Sequence, residues 1–124
     1  MALGVVALAG CGRSGDRQTV RAVVQDFYAA VEDHHGDRAC ALLSADARKV
    51  LEDQESKPCA QAVEELSLSN GELGPVRVFV TQAAVELRGG DTVFLGDTPD
   101  GWRISAAGCR PDEPGKPADC ELEA

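Results

Sequence analysis

The chain has 124 residues, 44% hydrophobic and 27% charged, with one Trp, one Tyr and three Phe. That is enough for one domain around a mostly aliphatic core and too little for two. The formal net charge of −9, with no run of clustered Lys and Arg, speaks against binding nucleic acid or anionic headgroups by electrostatics.

Residues 1–11, MALGVVALAGC, are apolar and uncharged, and fall well short of the ~20 residues of a spanning helix. Leu8-Ala9-Gly10-Cys11 resembles the lipobox of bacterial lipoproteins: a branched apolar residue, two small ones, and a cysteine whose thiol takes diacylglycerol before cleavage ahead of it. The resemblance implies lipid on Cys11, membrane attachment through it, and a domain on the outer face of the cytoplasmic membrane. A signal peptide begins with a basic region; none precedes this run, which points to a start upstream. Residues 12–18, GRSGDRQ, have the composition of a short flexible tether.

Setting Cys11 aside leaves four cysteines, which in a small exported domain implies two disulfides. Three connectivities are open, and periodicity chooses among them. Cys40 shares a helical face with Leu43, Ala47 and Val50 or Leu51, and Cys59 shares one with Val63 and Leu66, so both point inward and can meet between packed helices. Cys109 ends a strand in which Trp102, Ile104 and Ala106 alternate with Arg103, Ser105 and Ala107; its parity sets it with Arg103, away from the core. The expected links are Cys40 with Cys59 and Cys109 with Cys120. No C-x-x-C pair and no His at a ligand interval from a cysteine supports zinc or redox chemistry, so no metal or cofactor is expected.

The domain proper, residues 19–110, reads as helices followed by strands. Asp16 or Thr19 caps a helix whose residues Val20, Val23, Val24, Phe27, Tyr28 and Val31 form one apolar stripe. Gly36 is its stop, Asp37 caps a second segment, and Ser44 caps a third through Leu51. Ser56 and Pro58 open a fourth, with Cys59, Val63 and Leu66 buried. Strands begin at Val76: Val76, Val78 and Val80 share one face, as do Ala83, Val85 and Leu87. Gly89-Gly90 and Asp100-Gly101 close hairpins, so at least three strands form a meander with the VRVFV strand at one side. Residues 111–124 form a Pro-rich acidic tail pinned by its cysteine.

The run DFYAAVEDHHGDRACALLSADA, through Phe27, Tyr28, Ala30, Gly36, Asp37, Leu43, Asp46 and Ala47, resembles the N-terminal part of the nuclear transport factor 2-like superfamily. The chain also resembles small actinobacterial lipoproteins of that fold, in which two cysteine pairs recur. The resemblance implies an α+β cone: N-terminal helices packed on a curved antiparallel sheet of about four strands, with a cavity for which Tyr28 and Trp102 are the candidate polar-tipped lining residues. Ketosteroid isomerase, which shares this fold, uses an Asp base beside a Tyr and a protonated Asp. Tyr28 matches the Tyr by its place, but the segment expected to supply the base, SADARKVLEDQ, reads as helix. His34 and His35 read as a solvated helix end, and Glu52, Asp53, Glu64 and Glu65 as solvated faces. No catalytic residue is assigned. The expected function is a non-catalytic binding or interaction domain for a protein partner or a small apolar ligand; the alternative is an isomerase or cyclase-like enzyme.

Overall fold

The computed structural model describes residues 13–69, 71–110 and 119–124. The expected signal segment with Cys11, and residues 111–118 of the tail, lie outside the described residues.

Helix α1 (Arg13–Glu32) buries the expected stripe: Val20, Val24 and Phe27 are inaccessible, and Val23 and Tyr28 nearly so. It begins earlier than either expected cap, so residues 13–18 are helical rather than a loose tether. The physical reason is that one Gly costs a helix only about 1 kcal/mol, while Asp16 in the first turn is favoured by the helix dipole. Thr19 is no cap; its hydroxyl bonds back to the Gly15 carbonyl at 3.1 Å.

The stop after α1 is His34, at φ +60°. Gly36 instead opens α2 (Gly36–Ala41), where a Cβ would lie 2.0 Å from the Ala60 carbonyl oxygen. Gly36 thus serves close helix packing and not a turn, and Asp37, in the first turn of α2, makes no cap. In α3 (Ala45–Glu55) Ser44 is the expected cap, accepting the Ala47 N–H at 3.1 Å, and Ser56 at φ +52° ends the helix. A short α4 (Cys59–Ala62) runs into a 3₁₀ turn, Val63–Glu65. Glu52 is no idle surface charge: its carboxylate accepts the Cys59 N–H at 3.3 Å, capping α4 from α3. Cys40 is bonded to Cys59 and ties α2 to α4, both sulfurs inside the core.

Among the described residues five strands form one antiparallel sheet in chain order: β1 (Leu73–Phe79), β2 (Gln82–Leu87), β3 (Thr92–Thr98), β4 (Gly101–Arg110) and β5 (Asp119–Glu123). The helices are followed by a full meander with β1 at one edge, and the tail supplies a fifth strand beyond the four expected. Cys109 faces Cys120 directly across the β4–β5 ladder, and the two are bonded.

The alternation along β4 is broken by register shifts against β3. Leu95 pairs with Ile104 but Phe94 pairs with Ala106, so Ser105 is an inserted residue. Ala107 therefore joins Trp102 and Ile104 in the main core cluster, and Ala106, expected there, falls outside it. A second shift, near Gly108 at φ +66°, follows; Cys109 is buried yet also outside that cluster. Val80, expected to share the face of Val76 and Val78, sits in the two-residue turn after β1 and is 91% exposed.

Candidate functional site

The two residues expected to line a cavity are both core residues, set far apart. Trp102, second in β4, is 5% exposed, and its indole N–H donates to Asp16 in the first turn of α1 at 3.4 Å. Tyr28 lies toward the other end of α1, its ring edge-on to Phe27 with centroids 5.5 Å apart. Between them the helix face and the sheet meet through Val20, Val24, Phe27, Val85, Leu95 and Ile104, all at 1% exposure or less. The interior between them is packed at this level, and Tyr28 borders an open groove of about 440 Å³ with Gln25, Glu32, Gly71 and Leu73.

Tyr28 nevertheless has unusual surroundings. Its hydroxyl is buried without a hydrogen-bond partner among the described residues, and Gly71 stands so close that a Cβ there would lie 2.5 Å from the Tyr28 Cβ. Burial, and then the negative charge of Asp91, push the phenol well above its ordinary value.

Asp91, just after the Gly89-Gly90 turn, was not singled out by sequence reasoning. It is 1% exposed and the one charged residue counted as buried among those described. Arg110, at the end of β4, binds its Oδ1, and the Ser69 backbone N–H donates to Oδ2 at 3.2 Å. Burial alone would raise this carboxyl; the bonds from Arg110 and Ser69 outweigh it and hold it below the usual carboxylate range. The cluster thus clamps three segments: the β2–β3 turn, the loop before β1, and the end of β4. An acidic, fully engaged carboxylate makes a poor general base, and a phenol with a raised pKa makes a poor acid at neutral pH.

An open groove of about 530 Å³ lies beside this clamp, bordered by Ser67, Ser69, Arg110, Asp119 and Glu121 among others. Among the described residues its one cation is Arg110, already paired with Asp91. The other expected surface groups are as solvated as their positions imply: His34 is 82% exposed, 3.9 Å from Glu64, and Lys57 pairs with Glu65. Among the described residues no group of three or more His, Cys, Asp or Glu gathers to hold a metal, and no helix is long and apolar enough to cross a membrane.

No family model, curated protein or solved structure matches this chain.

Proposed function

We propose that the protein is an extracytoplasmic lipoprotein, held to the outer face of the cytoplasmic membrane by lipid on Cys11, whose domain binds a partner at its surface and is not a catalyst. The observation that carries the reading is the pairing of the four other cysteines into two disulfides, which leaves Cys11 as the odd thiol, in an LAGC step. Disulfides persist in oxidising compartments. The nuclear transport factor 2-like cone remains the fold family we favour, on helices followed by a meander sheet.

The packed interior favours surface binding of a protein over capture of a small apolar ligand, because drug-sized ligands need an enclosed apolar pocket. The isomerase or cyclase-like alternative draws on one observation, the Coulombic influence of Asp91 on Tyr28. The engagement of that carboxylate by Arg110 and Ser69 weighs against it.

The test is Cys11→Ser in the chain expressed with a basic signal-peptide region placed ahead of Met1. Wild type fractionates with membranes and carries a diacylglyceryl mass increment on a chain cleaved ahead of Cys11; the variant loses both. Unchanged membrane association with no lipid mass on the wild type refutes the anchor.

A further inference from the structure

Two large apolar side chains stand in solvent next to each other at the β1–β2 turn: Phe79 is 61% exposed and Val80 91%. A single exposed apolar residue needs no explanation, but a Phe-Val pair at the tip of a two-residue turn is a costly thing to show to water. Its place in the fold supplies the reason.

In a meander the β1–β2 and β3–β4 turns lie at the same end of the sheet. Here Thr81 of the β1–β2 turn is tied to the end of β3, just before the β3–β4 turn, the Asp97 N–H donating to its carbonyl at 2.8 Å. The start of α1 is at that end too, because Trp102, just past the β3–β4 turn, bonds Asp16. Cys11 is two residues from Arg13, where α1 begins, and two residues reach at most ~7 Å. Lipid on Cys11 therefore sets this end of the domain on the membrane. The Phe79–Val80 tip is about three strand spacings from Trp102, roughly 14 Å along the same end.

We infer that the Phe79–Val80 tip is a second membrane contact, inserted among the headgroups and upper acyl chains beside the lipid on Cys11. The inference rests on the anchor reading above. The contact is apolar in character: the neighbouring turn presents Asp97 and Asp100, both exposed, which oppose anionic headgroups, so the tip works by burying hydrocarbon. Two attachment points fix the domain's orientation, with the β2–β3 turn and the Asp91 clamp held away from the bilayer.

The test uses the full-length chain purified with its lipid, the lipid verified by intact mass, and reconstituted in phosphatidylcholine vesicles brominated at mid-chain. Val80→Trp adds an indole at an exposed position, while Trp102, which is 5% exposed, gives the background in wild type. The expected result is a blue-shifted added emission that bromolipid quenches and aqueous iodide does not. Phe79→Ser/Val80→Ser, still lipidated, is expected to transfer between vesicles about tenfold faster than wild type. Lipidated protein whose added indole is quenched by iodide only, with unchanged transfer, overturns the tip contact and leaves the anchor standing. A mass without lipid on Cys11 removes the anchor reading, and the tip contact falls with it.

Discussion

Replacing Gly36 by Ala sets two effects of opposite sign against each other. Helix propensity alone favours Ala, by up to about 1 kcal/mol, and φ at Gly36 is not among the positive values, so the backbone conformation offers no objection. Packing does object: the added Cβ would meet the Ala60 carbonyl oxygen at 2.0 Å and the Ala60 Cα at 2.9 Å. Ordinary contact requires α2 and α4 to part by over an ångström, yet the Cys40–Cys59 bond joins these two helices. Overpacking of this kind costs roughly 1–3 kcal/mol, and a backbone obstacle that cannot rotate aside sets it toward the upper end. The net expectation is destabilisation by about 2 kcal/mol in urea unfolding, or a fall in Tm of roughly 10 °C. In a background carrying Cys40→Ala and Cys59→Ala the helices are free to separate, and the penalty of Gly36→Ala should shrink by about half. A neutral or stabilising effect in the disulfide-bonded protein would refute the close-approach argument. An equal penalty in both backgrounds would refute the coupling to the disulfide.

Two further substitutions test the interior. Tyr28→Phe keeps the edge-on contact with Phe27 and removes a buried hydroxyl that has no partner among the described residues, so it should stabilise by about 1 kcal/mol; a loss of stability in equilibrium unfolding would show that the hydroxyl is bonded. Asp91 has its folded pKa lowered, so its contribution is fully present above the unfolded value of about 3.9 and is lost as pH falls through the folded value. Asp91→Asn should cost about 1–2 kcal/mol at pH 7, and its stability should fall less steeply than wild type below pH 4. Parallel acid limbs in the two proteins would exclude the linkage.

Much of this architecture was legible because it follows simple periods. The stripe from Val20 to Val31 obeys helical spacing, and the inward faces of Cys40 and Cys59 follow from the same spacing on two helices that must pack. Hairpins were legible from Gly89-Gly90 and Asp100-Gly101, where Gly90 and Gly101 do adopt positive φ. What escaped depends on contacts between distant segments. The role of Gly36 lies in Ala60, and that of Glu52 in a helix start seven residues on. Asp91 reads as a turn residue until two register shifts in β4 bring Arg110 beside it. The inserted Ser105 has no local signature, so the exchange of Ala106 for Ala107 in the core could not be read from alternation. Strand β5 was hidden in a Pro-rich composition; its five residues gain their pairing from β4 and the Cys109–Cys120 bond.

Because each strand pairs only with its neighbours along the chain, the sheet carries little entropic cost of loop closure: its ladders grow from turns as tight as Val80–Thr81 and Pro99–Asp100. The helical half has no such advantage. Asp16 waits for Trp102, 86 residues later, and the bridge between Leu43 and Ile104 likewise needs β4. A chain that emerges N-terminus first would therefore cover the Val20–Phe27 stripe in stages, α2 and then β1 packing on α1 well before β4 closes the end near Asp16. Until β4 arrives, that end of the half-emerged protein is a ligand for whatever binds exposed aliphatic helices.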